Sequence, residues 1–308
     1  MAVFKLSWLE KHAYGTNHTA VLPPSNDCEW VTLRYPSYIK DGKPTPKYYA
    51  DVEERLKRYG LVVVREHGLD TEAIIQELLP PGKDVISTHF GRIEDLRTDN
   101  TTNSNTDQLG YTDAPVHLHT DQPFIARPPG KVRNKIYLLI TFVEGMQLLQ
   151  SVTRADTGGG NFLVDSRQAA LYLKEVDPNA FAILTTTPVT FLRVQKNFTS
   201  KYEVPLIELD SATGAIKQIR HSYFSMAPHG YPFEQMRAFY RAYNSFSHIL
   251  RNPDHHFQLM LESGDFVLYD NYRMLHARTG FTGPRHVRGV YFHHEDVWAK
   301  LRSSQALN

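Results

Sequence analysis

The apolar residues of this chain fall in short, strand-sized runs, and that spacing limits what it can fold into. The longest such run, 136–143, broken only by Thr141, is the length of one strand. Nothing approaches the roughly 20 apolar residues of a membrane span. Strand-like runs recur at 61–64, 146–153, 162–165, 187–194, 204–208, 257–261, 265–269 and 286–292. Helical patterns are fewer. They cover 49–59, closed by Gly60; 71–79, capped by Asp70 or Thr71 and stopped by Pro80 and Pro81; 166–176; and 233–250. In the last of these, Phe233, Met236, Tyr240, Tyr243, Phe246 and Leu250 recur at three-to-four spacing, which predicts a core-facing stripe. Many short strands with a few covering helices predict an α+β chain with a double-stranded β-helix (jelly-roll) core.

Length and charge narrow the function. The 308 residues suffice for one large catalytic domain spanning 1–308. A formal net charge of +1 argues against nucleic acid as the main partner. Cys28 is the sole cysteine, so neither an intrachain disulfide nor a cysteine-based zinc site can form. The opening MAVFKLSWLEKHAYG has neither a secretory apolar stretch nor an arginine-rich amphipathic presequence. The cytoplasm is the expected compartment, with mitochondria as the alternative. A small-molecule substrate is the expected partner, a homodimer is allowed, and no membrane partner is expected.

The chemistry concentrates at Val116-His117-Leu118-His119-Thr120-Asp121-Gln122-Pro123. On a strand, residues two apart share a face, so His119 and Asp121 can point at one ion, and Pro123 ends the strand beyond them. Imidazole plus carboxylate suits Fe(II), and a distant second imidazole would complete a facial triad with open positions. His117 shares the same parity and competes with these positions. The polar segment 98–113 just before the motif reads either as an ordinary loop or as an active-site lid. Later, a turn at Gly264-Asp265 and a strand lead to His276, and Arg285 follows at the start of the final strand. A planar guanidinium beside a metal can hold the far carboxylate of a chelating dicarboxylate. Arg278 and Arg288 are alternatives for that role, but Arg288 has the opposite strand parity to Arg285.

Read together, LHTDQPF, PPG, QLLQ, TGGGNFLVD, GDFVLYDNYRMLHAR and FTGPRHVRGVY resemble the γ-butyrobetaine and trimethyllysine hydroxylases of the taurine dioxygenase-like (TauD/TfdA) superfamily. The resemblance runs from the SWLEKHAYG opening to Asp296. It implies an Fe(II)- and 2-oxoglutarate-dependent dioxygenase that consumes dioxygen and hydroxylates a small molecule. His119, Asp121 and His276 match the iron ligands, and Arg285 matches the 2-oxoglutarate carboxylate partner. Asn161 falls where relatives place a small hydroxyl residue that hydrogen-bonds 2-oxoglutarate.

The substrate positions depart from that pattern. Trimethylammonium groups are held by aromatic cages. Tyr111 and Tyr291 match two cage positions, with simple core packing as the alternative. Gln122 stands where butyrobetaine hydroxylases have tyrosine, and Glu94 lies roughly where relatives have tryptophan. A carboxylate can also attract a cation, so a quaternary ammonium or amino-acid-like substrate is expected. The relatives' cysteine-rich zinc-binding N-terminal module has no counterpart here. Residues 131–145 intervene between PPG and QLLQ, either as an extra β-hairpin arm or as a short intron translated in frame. Two other readings stand beside the dioxygenase: a degenerate member that binds metal or cosubstrate without turnover, and a zinc hydrolase using the same ligands.

Overall fold

The computed structural model describes residues 28–98, 109–125, 145–228 and 230–305. The expected arm at 131–145 lies outside them apart from Gly145, as does most of the expected lid at 98–113. The strands used below are β1 (Thr32–Arg34), β2 (Leu61–Arg65), β3 (Glu94–Arg97), β4 (Val116–His119), β5 (Met146–Thr153), β6 (Asn161–Asp165), β7 (Pro188–Gln195), β8 (Phe198–Pro205), β9 (Ile207–Leu209), β10 (Ile216–Ile219), β11 (His256–Leu259), β12 (Phe266–Asp270), β13 (Met274–Arg278) and β14 (His286–Phe292). The helices are α1 (Pro46–Tyr59), α2 (Thr71–Leu78), α3 (Ser166–Val176), α4 (Pro178–Thr186), α5 (Phe233–Leu250) and α6 (His294–Gln305).

Two sheets carry the architecture. The larger has the order β1-β2-β12-β5-β14-β3, antiparallel except where β1 lies beside β2. The smaller has the order β11-β6-β13-β4 and is antiparallel throughout. Side-chain alternation explains how they stack. Leu61 and Val63 of β2 and Val267 and Tyr269 of β12 share one buried cluster with Leu163, Phe257, Leu259 and Met274 of the smaller sheet. The residues between them, Val62, Val64, Phe266 and Leu268, pack instead with Val52 and Leu56 of α1, Ile74 of α2 and Leu301 of α6. Both faces of the larger sheet are therefore covered, which is why 61–64 is an unbroken apolar run. The outer face of the smaller sheet, through Leu118, Val164, Leu275 and Ala277, packs with residues of α3, α4 and α5.

This is the expected α+β jelly roll with covering helices. Helix α1 ends as expected: Gly60 has φ +78° and its N–H bonds the Leu56 carbonyl, a left-handed cap that a side chain would strain. The stripe on α5 differs from expectation. Phe239, Ala242, Phe246, Ile249 and Leu250 are buried, whereas Phe233 and Tyr240 are exposed at 75% and 43%. Both stripes obey helical spacing and share Phe246 and Leu250; packing beside α3 and α4 selects the one that includes alanine. Helix α4 was not anticipated, although Asp177 caps it by accepting from the Ala180 N–H and Pro178 opens it. Among the described residues no helix is long and apolar enough to cross a membrane.

Candidate metal centre

His119 ends β4 and pairs directly with His276 on β13, while Val116 pairs with Arg278. His117 and Leu118 thus lie opposite the single residue Ala277, a bulge that resets the alternation. The consequence is visible at His117. Parity predicts that it shares the face of His119, but it is exposed, and its ring lies edge-on to Tyr223 at 5.7 Å. His117 takes no part in the group of side chains that could hold a metal. That group is His119, Asp121 and His276, whose ligand atoms all lie within 4.8 Å of one another.

Each member is aimed. His119 Nδ1 lies 2.8 Å from the His117 carbonyl, so Nδ1–H donates and Nε2 presents its lone pair, 3.2 Å from Asp121 Oδ1. His276 Nε2 is 3.8 Å from the same oxygen. Burial, reinforced by His119, lowers the His276 pKa to about 3, which keeps the imidazole neutral as a ligand must be. Asp121 sits past the strand end and is clamped by its main chain: its N–H donates to Asn271 Oδ1 at 3.1 Å and its carbonyl accepts from Asn271 Nδ2 at 3.2 Å. The outer oxygen, Oδ2, accepts from Gln147 Nε2 at 2.6 Å and Tyr291 OH at 2.8 Å. Burial alone would raise this carboxyl; His276, His119 and the Tyr291 hydroxyl hold it well below the usual range. Oδ1 is left facing the imidazoles. Asn271 and Gln147 carried no local sequence signal, because their partners are 150 and 26 residues away.

The group opens into a cavity of about 240 Å³. Arg285 lines it and is buried. Among the described residues no side chain offers its guanidinium an anionic partner; the Phe281 ring lies 5.4 Å away. Burial and the neighbouring Arg278 lower its pKa to about 9. Arg278 also lines the cavity, but its two terminal nitrogens donate to the carbonyls of Gly110, Thr112 and Ala114. Arg288 donates to Leu69 and Thr71 and does not line the cavity. Asn161 lines the cavity from the start of β6.

The positions expected to meet substrate are brought together unevenly. Glu94, Gln122 and Tyr291 line the cavity, while Tyr111 does not line it and is buried against Glu94. Glu94 lies between the two tyrosines: Tyr111 OH donates to Glu94 Oε1 at 3.0 Å, and Tyr291 OH, whose proton goes to Asp121 Oδ2, lies 3.3 Å from Oε2. Burial and the Asp121 charge raise Glu94 to about 8, so near neutral pH it is a poor cation trap without a metal present. Gln122 adopts a left-handed backbone, φ 48°, and both amide atoms are buried without a hydrogen-bond partner.

Residues 140–291 match the family described as "Taurine catabolism dioxygenase TauD, TfdA family". The chain is 30% identical over 241 residues to a γ-butyrobetaine dioxygenase of Pseudomonas sp. (strain AK-1), covering 76% of this chain and 57% of that protein. It is 27% identical over 206 residues to the Homo sapiens γ-butyrobetaine dioxygenase, covering 63% and 48% respectively. The chain thus spans about half the length of these curated relatives. The fold is similar to that of AAD-2 in complex with Mn(II) and N-oxalylglycine, with TM-score 0.58 and 15% identity over 80% of this chain and 88% of that one.

Proposed function

We propose, from the match of residues 140–291 to the TauD/TfdA family, that this chain is an Fe(II)- and 2-oxoglutarate-dependent dioxygenase that hydroxylates a small molecule. The observation that carries the reading is the meeting of two features in one cavity: three converging ligand atoms, and a buried guanidinium without an anionic partner among the described residues. A two-histidine, one-carboxylate set suits Fe(II) with open positions. An unpaired buried cation is costly, and a ligand carboxylate would relieve it.

His119, Asp121 and His276 would hold the metal, and Arg285 the distal carboxylate of 2-oxoglutarate, with Asn161 beside it. When bound, Fe(II) with 2-oxoglutarate and dioxygen supplies the oxidation of an unactivated C–H bond, with release of succinate and carbon dioxide. The protein's own part is orientation. Asn271 fixes the Asp121 main chain, Gln147 and Tyr291 hold its outer oxygen, and the His117 carbonyl sets the His119 tautomer. The apolar walls, Phe90, Leu149, Phe124 and Phe224 among them, limit water.

Glu94, Gln122, Tyr291 and, behind them, Tyr111 form the proposed substrate side, with a quaternary ammonium or amino-acid-like molecule as the first class to test. The chain is proposed to act as a single catalytic domain in the cytoplasm, with mitochondria as the alternative compartment and a homodimer allowed as its assembly. The decisive experiment measures succinate formed from 2-oxoglutarate with Fe(II) or Zn(II), across γ-butyrobetaine, trimethyllysine, amino acids and sulfonates. Fe(II)-dependent succinate release supports the reading. Hydrolysis with Zn(II), or binding without turnover, would overturn it in favour of a hydrolase or a degenerate member.

A further inference from the structure

A third arginine lines the same cavity. Arg193 lies on β7, opposite Ser200 of β8. It is half-buried, and among the described residues it makes no ion pair, side-chain hydrogen bond or ring contact. Its place is fixed by main-chain and side-chain ties around it. Leu192 N–H donates to the Ser225 carbonyl at 2.7 Å, and Ala227 N–H donates to the Thr190 carbonyl at 2.8 Å. These fasten β7 to the segment carrying Phe224, whose ring packs edge-on to His119 at 5.3 Å. Ser200 Oγ donates to the Phe124 carbonyl at 2.8 Å, tying the partner strand to the residues just after Asp121. Arg193 is thus held by the same short segments that flank the metal-capable group.

The charges of the cavity give this arginine a meaning. His89, whose pKa the Arg193 charge affects, is neutral, pushed to about 4 by burial and by Arg193 itself. Among the described residues the two carboxyl side chains that line the cavity are engaged elsewhere: Asp121 faces the imidazoles and Gln147, and Glu94 accepts from Tyr111. Arg285 is the better-buried guanidinium and would be neutralised by the cosubstrate's distal carboxylate, whose other end chelates the metal. Counted over the described residues, a divalent metal, Asp121 and a dianionic cosubstrate then leave the cavity positive, with Arg193 unanswered. An arginine fork is suited to an oxygen acid, which it can hold through two parallel hydrogen bonds. Gln122 adds a buried amide with no partner, so the cavity has further polar capacity for such a head group.

We infer that Arg193 anchors an acidic head group, carboxylate or sulfonate, on the substrate. The inference rests on the dioxygenase reading and sharpens it. The substrate is an acid whose far end reaches toward the metal, and Arg193 acts as a specificity-determining residue distinct from the cosubstrate's Arg285.

The test uses the full chain loaded with Mn(II) and N-oxalylglycine, which stand for the metal and cosubstrate. Calorimetric titration compares γ-butyrobetaine, trimethyllysine and taurine with their uncharged-head counterparts: the carboxamides for the first two and the sulfonamide for taurine. Wild type, Arg193→Gln and Arg193→Lys are measured in parallel. For each acid that binds wild type, Arg193→Gln should weaken binding about tenfold to a hundredfold, the loss of one charge-assisted contact. The amide should bind wild type and Arg193→Gln equally, and Arg193→Lys should fall between. Whether carboxylate or sulfonate shows the larger loss identifies the head group. In turnover, KM should rise while kcat is retained. An unchanged preference for acid over amide in Arg193→Gln would overturn the inference, as would a wild type that binds none of the acids. N-oxalylglycine binding, expected to be the same in all three proteins, exposes a folding defect, in which case Arg193→Lys decides. Failure of wild type to bind Mn(II) and N-oxalylglycine would instead count against the dioxygenase reading.

Discussion

Replacing Arg285 with methionine should produce opposite effects on ligand binding and on stability. Arg285 is 8% exposed, carries no anionic partner among the described residues, and has its pKa lowered to about 9 by burial beside Arg278. Truncating one member of a buried charge-assisted pair typically costs about 2–5 kcal/mol. If 2-oxoglutarate is that member's partner, its requirement should rise by about thirtyfold to several thousandfold. The metal-free protein without cosubstrate should respond differently. The folded pKa lies below the ordinary value of 12.5, so at pH below about 9 folding carries the cost of a buried cation, and that cost is relieved as pH rises through the folded pKa. Methionine of similar length removes the charge, so unliganded Arg285→Met should melt at the same temperature as wild type or higher at pH 7. Two measurements decide: succinate formation against 2-oxoglutarate concentration, and thermal unfolding without ligands. A variant that melts lower yet keeps its 2-oxoglutarate dependence would refute the reasoning, because it would make Arg285 a structural residue.

Other substitutions probe the metal centre. His119→Ala, Asp121→Ala and His276→Ala should each abolish Mn(II) binding in a titration while circular dichroism stays native; full binding in any one removes it from the set. Asn271→Ala removes both bonds to the Asp121 main chain and should cost about 1–3 kcal/mol of stability in chemical unfolding, with a fall in kcat. Tyr291→Phe keeps the ring and deletes the hydroxyl on Asp121 Oδ2, so Mn(II) affinity should drop about tenfold. Unchanged affinity would leave Tyr291 with packing or substrate contact only. Glu94→Gln should stabilise the metal-free protein in a pH-dependent way. A folded pKa of about 8 against 4.5 means that the wild type loses stability as pH rises between those values. The variant's gain in melting temperature should be absent near pH 4.5 and complete above pH 8.

How much of this was legible in the sequence depends on the range of the forces involved. The jelly-roll class followed from strand-sized apolar runs, and the pairing of His119 with Asp121 from alternation. Yet alternation also grouped His117 with them, and only the bulge opposite His276 and Arg278 turns it outward. A bulge is set by a strand from the far end of the chain, so no local pattern reveals it. The same holds for Asn271, Gln147 and Arg193. Each is an ordinary polar residue in sequence and becomes distinctive through what lies beside it, or through the anion it lacks. On α5 the sequence offered two helical stripes, and the choice between them belongs to α3 and α4. Helix α4 is the exception, since its Asp-Pro start was readable from the residues alone.

The hydrogen-bonded pairing of His119 with His276 makes the ligand set a seam between two distant parts of the chain. Neither part can assemble it alone, and the Asn271 clamp on Asp121 stitches the same two parts a second time. Such a centre exists only once a long-range strand pairing has formed, a step that loop-closure entropy makes late and slow. A metal that recognises the finished seam and not the open chain therefore acts as a latch on topology. Its binding energy adds directly to the folded state, about 2.7 kcal/mol at a hundredfold excess over Kd. Metal occupancy in a refolding experiment would then keep time for the closing of the β-sandwich, independently of whether any substrate is ever turned over.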